Sequence, residues 1–145
     1  MKKIFSTLLA VTMLISGSVI LLSNARAADG DRDSHVVAYY FHGSFRCPTC
    51  HKLEQYSKEA IETNFKDELS SGKLELKAVN VEEGRNEHYT SDYQLYTKSL
   101  ILSLIRDGKE TKYKNLDKIW EYVHNKQRFL DYVKAEVADF LKEAR

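Results

Sequence analysis

The chain of 145 residues holds two cysteines, Cys47 and Cys50, with Pro48 and Thr49 between them. Thiols at that spacing suit three kinds of chemistry. They can open and close as a disulfide, which needs an attacking thiolate and a second thiol near enough to resolve the mixed disulfide. Followed by His51, they spell C-x-x-C-H, the attachment signature of c-type haem. With two histidines they would make a zinc set. A purely structural bridge is the plain alternative. A loop this small adds little chain entropy, and two cysteines placed at random would fall three apart in about one chain in sixty.

The neighbouring residues favour disulfide exchange. Val36-Val37-Ala38-Tyr39-Tyr40-Phe41 is β-branched and aromatic without polar alternation, the pattern of a strand buried on both faces. His42 to Arg46 makes a loop. From Pro48, the residues Leu53, Tyr56, Ala60, Ile61, Phe65 and Leu69 recur at three- and four-residue steps, an amphipathic helix stopped by Ser70-Ser71-Gly72. A strand, a short loop and a C-x-x-C opening a helix form a dithiol redox arrangement. Cys47 then falls at the helix N-cap, where unpaired N–H groups and the positive dipole end favour a thiolate, and is the expected nucleophile. Pro48 suits the first helical position and keeps Cys47 out of helical angles. Cys50, one turn in, is the expected resolving thiol. Arg46, His42 and His51 supply positive charge to the thiolate wherever they point inward. Haem is disfavoured because the two methionines, Met1 and Met13, both lie in the leader, which leaves His88 or His124 as a distal ligand. No metal and no cofactor beyond a redox-active Cys47–Cys50 disulfide is expected.

Further along, 73–81 reads as a second strand and 82–98 as a polar, tyrosine-rich segment with a short helix at about 86–96. Leu100 to Ile105 reads as a buried third strand, Asp107-Gly108 as a hairpin turn and Glu110 to Lys114 as the return strand. Asn115 is a candidate cap for a helix carrying Leu116, Ile119, Trp120 and Val123. A second stripe from Phe129 to Leu141 continues helix to the end, with a break near Asn125. The fold class is α/β, a four-stranded mixed sheet flanked by helices in the order β-α-β-(α)-β-β-α. Tyr89, Tyr93 and Tyr96 stand at helical spacing, which favours packing over a partner groove.

This order, with the C-x-x-C at the first helix start, resembles the thioredoxin-like superfamily over nearly the whole of the domain. Tyr40 to Cys50, Val79-Asn80-Val81-Glu82, Asn86-Glu87-His88, Thr97-Lys98-Ser99 and Lys114 to Trp120 most resemble a bacterial thioredoxin-like family, the nitrophenyl-compound nitroreductase subunit (ArsF-type) of arsenic-resistance loci. The resemblance implies a role beside a reductase or an electron-passing membrane protein. Two features of the superfamily are missing. Pro48 is the single proline, so Ser99 or Leu100 takes the place of the cis-proline that guides a partner, and with Phe45 they are the expected partner groove. A trans bond is expected there. Phe41 takes the place of the buried aspartate, so a proton acceptor for Cys50 must come from elsewhere, with Glu82 and His42 as candidates.

The address is read from the start of the chain. Met1-Lys2-Lys3, the apolar run Ile4 to Leu22 and Ala25-Arg26-Ala27 read as a signal peptide over 1–27. A flexible lead-in over 28–35 and one domain over 36–145 follow. The apolar run is long, so an uncleaved anchor over 4–22 is the alternative. Either way the domain is expected outside the cytoplasm, periplasmic or extracytoplasmic, where disulfides persist. Of 22 basic residues, Lys2, Lys3 and Arg26 leave with the leader, and 19 then face 21 acids, a formal charge of −2. No basic field points to nucleic acid, and no flavin or nicotinamide fingerprint is present. The expected partners are a protein thiol or disulfide substrate and a membrane thiol-electron transporter, with the chain itself a monomer. Pro48-Thr49 does not decide between reductant and oxidant. A non-catalytic accessory subunit is the third class of reading.

Overall fold

The computed structural model describes residues 34–145, and the leader, the anchor over 4–22 and most of the lead-in lie outside the described residues. The chain runs β1 (Ser34–His42), α1 (Pro48–Asn64), α2 (Lys66–Ser71), β2 (Leu74–Asn80), α3 (His88–Asp92), β3 (Ser99–Arg106), β4 (Lys109–Asn115), α4 (Ile119–Tyr122) and α5 (Lys126–Glu143). A 3-10 turn covers Gly84–Asn86. Ser34 and His35, read as the end of the lead-in, already pair in β1 opposite Arg106 and Ile105.

The sheet order is β2-β1-β3-β4. β1 and β2 are parallel, with Val36 opposite Leu74, as a helical crossover requires. β3 is antiparallel to β1, with Phe41 opposite Ser99, and β4 is antiparallel to β3. This is the thioredoxin-like α/β arrangement that the element order implies. β1 lies inside the sheet and both its faces are covered, which is why its sequence lacks polar alternation. On the front face Val36, Ala38 and Tyr40, with Leu100, Leu102 and Leu104 of β3, pack against α1 and α5. On the back face Phe41 and Ile101 meet Tyr93 and Leu95, with Tyr39 and Tyr89 packed alongside.

Three expectations are corrected. The helix from Pro48 does not run unbroken to Leu69. Phe65 leaves helical angles at φ −131° and ψ 41° and turns its ring into the core, so α2 is a separate piece closed by left-handed Gly72. The helix near 86–96 shrinks to α3, because Gln94 adopts a positive φ of 50°. Tyr96 lies past that break and is 94% exposed rather than packed. Asn115 ends β4 instead of capping a helix, and the next N–H, of Leu116, donates to the Leu100 carbonyl at 2.9 Å. Asn125 does cap α5, its Oδ1 accepting the Arg128 N–H at 3.1 Å.

Asp107 and Gly108 turn the hairpin with φ of 51° and 70°, both left-handed as a tight two-residue turn needs. The ladder then carries a bulge. Leu104 faces Lys112 while Ile105 faces Glu110, so Thr111 is one residue extra in β4. Glu110 and Tyr113 consequently share the back face. There Glu110 accepts the Tyr93 hydroxyl at 2.5 Å and the Ser103 hydroxyl, and Tyr113 meets the Tyr93 ring edge-on at 5.0 Å. Burial and the Glu110 carboxylate hold the Tyr93 proton far above the ordinary phenol range. On the front face Lys112 and Lys114 pair with Glu143 and Glu136 of α5 at 2.8 and 2.6 Å.

Phe129 joins α5 to α1, fully buried and edge-on to Tyr56 at 5.6 Å. Its replacement by alanine is expected to cost about 3–5 kcal/mol. Urea unfolding checks this, and an unchanged midpoint would show that the two helices do not share one core.

Candidate functional site: the Cys47–Cys50 pair

β1 delivers the chain to the end of the sheet, and the loop from His42 to Arg46 hands it to α1. Cys47 is the N-cap of α1, extended at φ −80° and ψ 163°, with Pro48 inside the first turn. Its Sγ accepts the Cys50 N–H at 3.2 Å, and its carbonyl accepts the His51 N–H at 3.0 Å. The first turn of α1 has no Asp or Glu, so nothing there opposes an anion on Cys47. The two sulfurs are joined as a disulfide, with the Cα atoms 5.0 Å apart. Cys47 is half-buried, whereas Cys50 is 2% exposed. Beneath Cys50, the Tyr40 hydroxyl donates to the Cys50 carbonyl at 2.8 Å. Burial raises the Tyr40 phenol to about 12, against a lowering pull from Arg46.

The loop before Cys47 is fastened to the end of β2. Val81 N–H donates to the His42 carbonyl at 2.9 Å, and the Asn80 amide donates to Ser44 Oγ at 3.2 Å. Glu82 Oε2 accepts the Ser44 N–H at 3.0 Å. Hydrogen bonding from Ser44, side chain first and backbone second, lowers the Glu82 carboxyl below its ordinary value, with smaller pulls from Lys98 and His42. Gly43 lies against this carboxylate, and a Cβ there would oblige the Glu82 side chain to shift. His42 Nδ1 donates to the Gly43 carbonyl at 3.0 Å.

His42, Glu82 and Lys98 thus gather at one cleft of about 170 Å³, walled by Phe41, Val81 and Leu95. Glu82 is exposed, and the group it holds is Ser44. Arg46 is turned to α1, where it is ion-paired with Glu54. Thr49 is half-buried in the first turn. Ser99 and Leu100, expected in a partner groove, are buried at 4% and 0%, because they begin the inner strand β3. Phe45 is 76% exposed in the loop before Cys47, and Tyr96 is exposed in the loop before β3. That second loop is held by Trp120, whose indole N–H donates to the Lys98 carbonyl at 2.9 Å. All peptide bonds of the described residues are trans.

Phe41 belongs to the back-face cluster. Glu54 joins Arg46 in this pair without standing out in the sequence from the other charged residues of the helix. The one signal for it was its place a helical turn after Cys50. Among the described residues, no three His, Cys, Asp or Glu side chains converge as a metal-binding set. His51 and His124 are exposed, and His88 Nδ1 lies 2.7 Å from an Asp92 carboxylate oxygen.

No family model matches this chain. No curated protein matches it either. Among solved structures, a thioredoxin from Fasciola hepatica shares 14% identity, covering 80% of this chain and 86% of its own, with a TM-score of 0.43. Thioredoxin O2 from Arabidopsis thaliana in the oxidized state shares 12%, covering 70% and 78%, at 0.40. A structure described as that of a malarial protein shares 13%, covering 76% and 97%, at 0.41. Likenesses this distant carry no weight of their own, and the fold rests on the strand order, directions and register given above.

The Glu82 carboxyl gives a pH prediction. Its folded-state value is lowered, so the stabilisation it gives the loop is present above the ordinary carboxylate range and is lost as pH falls through the folded value. In NMR titrations the Ser44 amide and the Glu82 carboxyl are expected to move together, below the ordinary glutamate range. Glu82→Gln should abolish the Ser44 step. A Ser44 amide that ignores Glu82 would refute the link.

Proposed function

We propose that this chain is a thiol–disulfide oxidoreductase working through Cys47 and Cys50. The observation that carries the reading is the asymmetry of the pair: a half-buried sulfur caps α1, and a buried one lies a turn inside, within the thioredoxin-like fold. In the reducing direction the Cys47 thiolate attacks one sulfur of a substrate disulfide. That bond breaks, a mixed disulfide forms, and the first substrate thiolate leaves. Cys50 gives up its proton and attacks Cys47 Sγ. The second substrate thiolate leaves, and the Cys47–Cys50 disulfide closes. Two electrons have then passed to the substrate. The joined sulfurs correspond to the oxidised end of that cycle.

The finer reading is an exported, monomeric reductant or electron carrier, periplasmic or otherwise extracytoplasmic. It is recharged by a membrane thiol-electron transporter and passes electrons to a protein outside the cytoplasm. The leader over 1–27 supports export, with 4–22 as an anchor if it is retained. The likeness to the nitroreductase-subunit family supports a place beside a reductase. Nitroreductase chemistry itself would belong to a partner, since this sequence has no flavin or nicotinamide fingerprint.

Three measurements test this. Equilibration with glutathione should give a reduction potential near the thioredoxin value of about −270 mV rather than about −120 mV, the value of a strong oxidant. Cys47→Ser should abolish disulfide reduction, while Cys50→Ser should accumulate the mixed disulfide. A haem band in the visible spectrum of the purified protein would overturn the reading in favour of C-x-x-C-H attachment.

A further inference from the structure

Arg46 is the cation next in sequence to the expected nucleophile, and its guanidinium is already engaged. One terminal nitrogen is ion-paired with the Glu54 carboxylate. Its Nε is shut off from solvent, with no hydrogen-bond partner among the described residues. Glu54 stands one helical turn past Cys50 on α1. Helical side chains lean back toward the N-terminus, so Glu54 covers the turn that carries the dithiol. The same turn receives the Tyr40 hydroxyl at the Cys50 carbonyl. The Arg46 charge lowers that phenol, against the larger upward effect of burial. Tyr40 and Glu54 both line a cleft of about 390 Å³ between α1 and β2, whose other charged groups are Lys58 and Glu62. The pair is largely withdrawn from water, with the Arg46 and Glu54 side chains 22% and 29% exposed.

We propose that Glu54 is a positioning residue for the dithiol. By holding the Arg46 guanidinium it cancels a cation that would otherwise stabilise the Cys47 thiolate, and so keeps the Cys47–Cys50 pair reducing. The inference rests on the thiol–disulfide reading and deepens it. The dipole end of α1 already favours a thiolate on Cys47. An uncancelled guanidinium would add to that, stabilise the reduced form and make the protein a stronger oxidant. An uncancelled carboxylate would do the reverse. The two halves of the pair therefore act on the dithiol with opposite signs, which a pair serving stability alone would not do.

The test is equilibration with glutathione, read by alkylating the free thiols. In that reaction the protein disulfide breaks and a glutathione disulfide forms. Two electrons pass to the protein. The protons of the two glutathione thiols go to Cys50 and to Cys47, or to solvent where Cys47 stays a thiolate. Glu54→Gln is expected to shift the equilibrium about fivefold toward the reduced protein, and Arg46→Gln about fivefold toward the disulfide. The pH profile of Cys47 alkylation should move to lower pH in the first and to higher pH in the second. Arg46→Lys, which keeps the charge, and the double variant E54Q/R46Q should stay within about twofold of the parent. Shifts of the same sign in E54Q and R46Q, or none in either while the parent exchanges normally, would overturn the proposal. Should R46Q not fold, E54Q set against R46K still decides the sign. Failure of the parent itself to exchange would instead overturn the thiol–disulfide reading, and this inference with it.

Discussion

Every helix opens with backbone N–H groups that the helix cannot satisfy, and in α1 a sulfur meets one of them. The Cys47 Sγ takes the Cys50 N–H where a serine or aspartate oxygen would ordinarily stand. That contact ties a backbone requirement to a redox group, and the surrounding sequence serves both. Pro48 sets the first helical angle and lacks an N–H that would have gone unpaired. The first turn is free of acids. As a thiolate, Cys47 is a better acceptor for that N–H than a disulfide sulfur is, so reduction and helix capping favour one another.

The cap must be held still relative to a partner, and β1 provides the rigidity. It is an inner strand covered on both faces. Its end passes into a loop fastened to β2 through Asn80, Val81 and Glu82. Tyr40 projects from the front face to the helix carbonyl, and Phe41 projects from the back face into the aromatic cluster. Consecutive residues of one strand thus serve the dithiol and the opposite core.

Much of this was legible in the sequence, and the parts that were not share a physical cause. The C-x-x-C at a helix start, the unalternating run before it and the Asp107-Gly108 turn are local patterns, and local patterns survive in one dimension. The Phe65 break was hidden because Phe65 and Leu69 keep helical spacing across it while both still reach the core. Gln94 in a left-handed conformation has no compositional mark, so Tyr96 was placed on a helix that had already ended. Ser99 and Leu100 were expected in a partner groove by their position in the superfamily's pattern, although Leu100 also opens the run read as a buried strand, and their burial follows from β3 lying inside the sheet. The Glu54–Arg46 pair crosses from loop to helix, and its residues differ in no way by type from their solvated neighbours.

The extra residue in β4 decides which side of the sheet carries a carboxylate. Alternation along a strand is a matter of phase, and Thr111 shifts that phase by one step for everything on the turn side of it. Counted back from Tyr113 without the insertion, Glu110 would face α5, where Glu136 and Glu143 already stand, and would compete with them for Lys112 and Lys114. With the insertion it lies among the tyrosines and accepts two hydroxyl protons. One residue of strand length thus keeps Glu110 away from Glu136 and Glu143 and gives the back face an acidic acceptor for the Tyr93 and Ser103 hydroxyls.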